Sequence, residues 1–254
     1  VTNSSDNGAA PHRVEELRAN LLRVRKHIKD VTPAGQAQPK LIVVTKFFPA
    51  SDVRALHGLG VQDIGENKEQ EARVKHAEVV DLTALRWHFI GQLQRNKAKS
   101  VARFAHSVHS VDRVSLAEAL AKAVLTENEQ REAGGQPRRE PLQAYIQLDL
   151  REGAQADEPG RGGAKPEDML TLADAIAGQE GLDLVGLMAV APLGEDPNRA
   201  FERLHRYSAE LQREHPGASF VSAGMSQDMQ AAIENGATHL RIGSDILGSR
   251  PPVR

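Results

Sequence analysis

The chain of 254 residues carries 32 basic against 34 acidic side chains, a formal net charge of −2, 40% apolar residues and no cysteine. The interspersed charges exclude an electrostatic nucleic-acid footprint, and the missing thiols exclude disulfides, thiolate metal sites and cysteine nucleophiles. No apolar stretch approaches the length of a membrane span and no signal peptide is visible, so the expectation is a cytoplasmic protein without membrane partners, in a reducing compartment.

Residues 1–11 are small and polar and read as a disordered tail, with a single domain over 12–254. Val14, Leu17, Leu21, Val24 and Ile28 recur at helical spacing and predict an amphipathic helix over 12–31. Short apolar runs then alternate with helical patterns. The runs fall at 41–45, 61–64, 85–90, 107–111, 142–150, 184–190, 219–222 and 239–242. Between them, Ser51 is the expected N-cap of a helix that stops before Gly60. Segments 67–80 and 96–104 are periodic, and Asp112 is the expected cap of a longer helix. Segments 167–177, 197–214 and 227–235 continue the pattern, the last stopped by Gly236. Two stretches, 127–140 and the glycine-rich 151–165, read as longer connections, the second a lid or a plain surface loop.

About eight strand–helix units predict a single (β/α)8 TIM barrel with an extra N-terminal helix. A doubly wound sheet is the rival, but no G-x-G-x-x-G follows the first strand. In a barrel, chemistry stands just after each strand. The first apolar run ends at Lys46, between Thr45 and Phe47. An amine there, partly removed from water, is a candidate Schiff-base former, and a snorkelling lysine is the alternative. Gly224-Met225-Ser226 opens the helix over 227–235, and Gly243-Ser244 follows the last strand. Two adjacent loops of this kind after strands seven and eight predict a phosphate site, against the alternatives of an N-cap and a tight turn. Arg241 needs a partner: Asp245, Glu66, or the ring nitrogen of a ligand. His88 reads as a structural donor, and the histidines lack metal-ligand spacing. A lysine, a phosphate cradle and an arginine together suit a phosphorylated aldehyde, and pyridoxal 5′-phosphate (PLP) would use all three.

The motifs Val43-Val44-Thr45-Lys46, Gly65-Glu66-Asn67-Lys68-Glu69-Gln70-Glu71 and Trp87-His88-Phe89-Ile90-Gly91-Gln92-Leu93-Gln94-Arg95-Asn96-Lys97 come first in the chain. Gly186-Leu187-Met188, Ser222-Ala223-Gly224-Met225-Ser226-Gln227-Asp228-Met229 and Arg241-Ile242-Gly243-Ser244 follow them. In this order they resemble the pyridoxal phosphate homeostasis protein family. The resemblance implies a barrel similar to the N-terminal domain of alanine racemase, with PLP held on Lys46 as a Schiff base. It also implies Ser226, Gly243 and Ser244 near the phosphate, Arg241 near the ring nitrogen, and Asn67 and Met188 lining the ring pocket. A role in vitamin B6 and amino-acid homeostasis follows, as a monomeric carrier of PLP with apo-PLP enzymes as possible partners. A low-activity PLP-dependent racemase or lyase is the alternative. The chain departs from the family pattern at Phe48, where many members carry a second lysine. It departs again at Arg161-Gly162-Gly163, where many have Lys-Ser-Gly.

Overall fold

The computed structural model describes residues 9–152 and 162–250. Most of the tail expected over 1–11, the centre of the 151–165 connection and the last four residues of the expected domain lie outside that range. Helix α1 (Pro11–Val31) is followed by β1 (Lys40–Val44), α2 (Ala50–Gly58), β2 (Asp63–Glu66), α3 (Glu69–Glu78) and β3 (Arg86–Phe89). Then come α4 (Ala98–Ala102), β4 (Ala105–Val111), α5 (Val114–Ala133), β5 (Leu142–Gln147), α6 (Met169–Ala177) and β6 (Leu182–Met188). Helix α7 (Pro197–Glu214), β7 (Phe220–Ser222), α8 (Met229–Glu234), β8 (His239–Ile242) and α9 (Ser244–Leu247) complete the order. The eight strands are all parallel and close into a barrel in sequence order, so the (β/α)8 expectation holds.

Closure settles which loops are neighbours. β8 pairs with β1, with Ile242 opposite Val43, so the loop after β8 lies beside the turn that carries Lys46. The main apolar core fills the space between barrel and helices, and includes Ile64, Phe89, Leu116, Ile146, Leu187 and Phe201. Of the five apolar residues whose spacing predicts α1, Leu17, Leu21, Val24 and Ile28 are buried and Val14 is half-buried. Arg13 donates to Leu247 O at 3.0 Å, Asn20 to Ile246 O at 3.0 Å and Arg23 to Asp245 O at 3.2 Å. These three side chains satisfy carbonyls of α9 that its own short helix leaves open.

Several local expectations need correction. α1 starts one residue early, at Pro11, where a missing N–H is harmless. Pro49, not Ser51, precedes α2, and Arg113, not Asp112, precedes α5; neither helix start has a side-chain cap. β2 begins and ends two residues later than its apolar signal because Glu66 is buried against Lys75, which lets a charged residue finish the strand. The 127–140 stretch is largely helix, with α5 running to Ala133.

Candidate functional site

Lys46 stands just beyond β1 and is half-buried. Its ammonium makes no ion pair or hydrogen bond among the described residues, and the ring of Phe47 is 5.7 Å away. The N–H of Phe48 donates to Thr45 O at 3.1 Å, which closes a four-residue turn with Lys46 and Phe47 in its centre. Phe47 has φ +73°, the only positive φ of a non-glycine residue among those described, and that is the value a type II turn demands at its third position.

Ser226 and Ser244 meet. Their hydroxyl oxygens are 3.1 Å apart, although one follows β7 and the other follows β8. Ser226 is half-buried and Ser244 exposed, so this pair of hydroxyls faces a position that solvent reaches. Ser226 does not open the following helix, however. α8 begins at Met229, and Asp228 closes the intervening turn by accepting from the N–H of Met225 at 2.5 Å. Gly224 has a packing role. It has φ +89°, and a Cβ there would lie 2.7 Å from the Cβ of Ala232 and 2.9 Å from Leu240. A Cβ on Gly243 would lie 3.1 Å from Val44 O, so this glycine lets the β8 loop sit tightly on the end of β1.

Arg241 is 4% exposed and pairs with neither Asp245 nor Glu66. One terminal nitrogen donates to Ser222 O and Ser222 Oγ, both at 2.6 Å, and the other to Ala189 O at 2.9 Å. Burial pushes its guanidinium down to about 10, still charged at neutral pH. Three bonds engage three of the five N–H groups of a guanidinium, and the other two have no acceptor among the described residues.

Behind Arg241 a polar chain crosses the barrel interior. Ser222 Oγ is 2.9 Å from His109 Nδ1, and His109 Nε2 is 3.0 Å from Ser107 Oγ. Ser107 Oγ is 2.6 Å from His88 Nδ1, and His88 Nε2 is 2.9 Å from Asp63. Arg86 donates to Asp63 at 2.6 Å. Burial holds both imidazoles below the usual histidine range, while Arg86 and His88 together hold Asp63 low against its own burial. With both rings neutral, one proton assignment avoids opposed lone pairs: Ser222 donates to His109, His109 through Nε2 to Ser107, Ser107 to His88, and His88 through Nε2 to Asp63. His88 is therefore the structural donor that the sequence suggested. The participation of Ser107, His109 and Ser222 was not anticipated, although Ser107 and His109 lie two apart on one face of an apolar strand.

Asn67 follows β2, and its side-chain oxygen is buried without a partner among the described residues. Met188 ends β6 and packs inside the barrel on Tyr145 and Val185. A buried ion cluster went unread in the sequence. Lys75, from α3, donates to Glu66 at 2.5 Å, to Thr45 O at 2.9 Å and to Glu71 at 3.2 Å. Burial pushes the Glu66 carboxyl up, against the pull of Lys75. The i, i+4 spacing of Glu71 and Lys75 is visible in the sequence, but the charges look like an exposed helical pair until β2 is placed beside them.

Proteins similar to this chain are numerous. The alanine racemase N-terminal domain family matches residues 13–251. The pyridoxal phosphate homeostasis protein of Mycobacterium leprae is 37% identical over 250 residues, covering 93% of each chain. PipY from Synechococcus elongatus, solved with PLP bound, is 30% identical with a TM-score of 0.75, over 91% of this chain and 100% of PipY. Alanine racemase from Corynebacterium glutamicum, at 14% identity and a TM-score of 0.65 over 92% of this chain and 60% of the racemase, shares the fold. With its barrel, its motifs and full-length relatives in agreement, this chain belongs to the pyridoxal phosphate homeostasis proteins, within the alanine racemase N-terminal domain family.

Proposed function

We propose that this protein captures PLP reversibly on Lys46 and acts as a carrier and buffer of the cofactor in vitamin B6 and amino-acid homeostasis, without catalytic turnover of its own. The observation that carries this reading is the grouping at the ends of adjacent strands of an amine unpaired among the described residues, two converging hydroxyls and a guanidinium with two N–H groups unused among those residues. PLP, when bound, supplies an aldehyde, a dianionic phosphate, an acceptor ring nitrogen and a conjugated ring able to take up electrons. The residues fit each of the first three. Lys46 would hold the aldehyde carbon through its Nζ in a reversible C=N linkage, the carbonyl oxygen leaving as water and hydrolysis restoring the free amine. Ser226 and Ser244 would donate to phosphate oxygens, with Gly243 keeping the Ser244 loop on the end of β1. Arg241 donates to the ring nitrogen. Asn67 and Met188, at the ends of β2 and β6, border the ring.

The same residues speak against turnover. An arginine is a donor that does not give up its proton at neutral pH, so it leaves the ring nitrogen unprotonated and the electron sink weak. Tyr145 is fully buried, stacked 4.1 Å from the ring of His109, and burial pushes its hydroxyl above the usual range. It is no acid–base group for a bound substrate. Release to apo-PLP enzymes or to solvent, action as a monomer and residence in the cytoplasm complete the reading.

The test is spectroscopic. Titration with PLP gives a visible absorption band that Lys46→Ala lacks, and borohydride reduction followed by peptide mapping labels Lys46. A colourless wild type, or label on another side chain, removes the proposal. Exchange of deuterium at an amino acid α-carbon, catalysed by the loaded protein and absent in Lys46→Ala, replaces the carrier with an enzyme.

A further inference from the structure

The turn that presents Lys46 is held from both sides by one ion cluster. On one side, Thr45 Oγ1 donates to Glu66 at 2.6 Å, and Thr45 O accepts from Lys75. On the other, the N–H of Phe47 donates to Glu71 Oε1 at 2.5 Å. Glu66 and Glu71 are bridged by Lys75, which is 4% exposed, so the two grips form a single unit. The sequence around Lys46 has no glycine to favour this turn. Type I and type II turns differ by a flip of the central peptide, and φ near +80° at the third position is ordinarily left to glycine. Here phenylalanine occupies that position at φ +73°. The N–H of the flipped peptide, Lys46–Phe47, is the group that Glu71 accepts. Glu71 therefore selects the flip, and the backbone strain at Phe47 persists because the ion cluster over-determines the turn.

We propose that Glu71, braced by Lys75 and Glu66, is a positioning residue for Lys46: it holds the strained turn that gives the amine a single backbone setting for attack on an aldehyde. The inference rests on the PLP reading above. Release of Glu71 lets the Lys46–Phe47 peptide relax toward the unstrained turn, and the amine then samples several settings. Condensation slows, because a group that must find its geometry reacts more slowly than one already held in it. Phosphate binding, which depends on Ser226 and Ser244 from other strands, is untouched.

Stopped-flow mixing with PLP reads the condensation rate, and binding of pyridoxine 5′-phosphate, which has no aldehyde, reads the non-covalent grip. Glu71→Leu is expected to slow condensation by about tenfold, the factor for one lost hydrogen bond of ordinary strength, with pyridoxine 5′-phosphate affinity within about twofold of wild type. Glu71→Gln keeps an acceptor for the Phe47 N–H and restores most of the rate. Phe47→Gly in the Glu71→Leu background restores it as well, because glycine adopts the turn without help. An unchanged rate in Glu71→Leu overturns the inference, as does a parallel fall in rate and analogue affinity, or failure of both rescues. A wild type that binds the analogue and gives no visible band with PLP removes the covalent reading and this inference together, and is distinct from every other result.

Discussion

Two hydroxyls 3.1 Å apart, contributed by residues 18 apart in sequence, form the proposed phosphate contact of the barrel mouth. Each donates to a phosphate oxygen in the proposed complex, and each also has the other as a partner. Ser226→Ala and Ser244→Ala are each expected to weaken PLP by about 1–1.5 kcal/mol, close to tenfold, as measured by dialysis equilibrium. The double variant loses less than the sum, because the first substitution already breaks the mutual hydrogen bond. Full additivity shows that the hydroxyls act on separate ligand groups. At this scale the sequence was informative where the residue type is itself reactive. Lys46, Ser226, Ser244 and Arg241 stood out because an amine, hydroxyls and a guanidinium at strand ends are chemically conspicuous. Arg241 could not be assigned a partner from sequence, since its acceptors are two backbone carbonyls and a serine from other strands.

Helices α1 and α9 are linked across 222 residues or more of sequence by Arg13, Asn20 and Arg23, which donate to carbonyls of α9. Arg13 additionally pairs with Asp52 at 2.7 Å, and its guanidinium lies over the ring of Phe48 at 5.6 Å. The extra N-terminal helix thus braces both α9 and the ring of Phe48, two residues after Lys46. Asn20→Ala leaves Ile246 O without its partner and is expected to cost about 1 kcal/mol of stability in urea denaturation. The accompanying loss of PLP affinity should resemble that of Ser244→Ala in direction and be smaller in size. Stability loss with unchanged affinity means that α1 supports the fold and not the site. The periodicity of α1 was legible because its apolar residues are local in sequence. Its polar contacts were not, because they depend on closure of the barrel. Helix starts were the least legible: Ser51 and Asp112 are good caps by type, yet neither is used, since tertiary packing fixed where α2 and α5 begin.

Four histidines of the barrel strands, His88, His106, His109 and His239, are held below the usual histidine range by burial, His106 at about 4 and His239 at about 3. An unfolded histidine titrates near 6.5, so below that pH the unfolded chain binds protons that the folded chain refuses. Stability therefore rises with pH up to about 6.5 and falls as pH drops from there toward the folded values. Each fully neutral histidine contributes a slope of about 1.4 kcal/mol per pH unit in that window. Asp63, held low in the fold, adds a loss in the same direction only once pH falls below about 4, the unfolded carboxylate value. Urea denaturation at pH 7, 6 and 5 is expected to show a flat region giving way to a decline steeper than one proton accounts for. Equal stability at pH 7 and 5 shows that the interior histidines accept protons without opening the barrel.

By itself the sequence determined the alternation of strand and helix, the barrel count of eight strands, the apolar face of α1 and the amine, hydroxyl and guanidinium side chains at the strand ends. These follow from local periodicity and from chemistry intrinsic to a side chain. Tertiary structure alone decided which side chains act together: Ser226 with Ser244, Arg241 with Ser222 and Ala189, and Glu71 and Lys75 around the Lys46 turn. It also placed the hydroxyl pair beside the lysine strand, because β8 closes onto β1. The physical reason is range. Periodicity acts over a few residues, whereas a hydrogen bond between strand ends exists only after closure has brought distant segments within about 3 Å of each other.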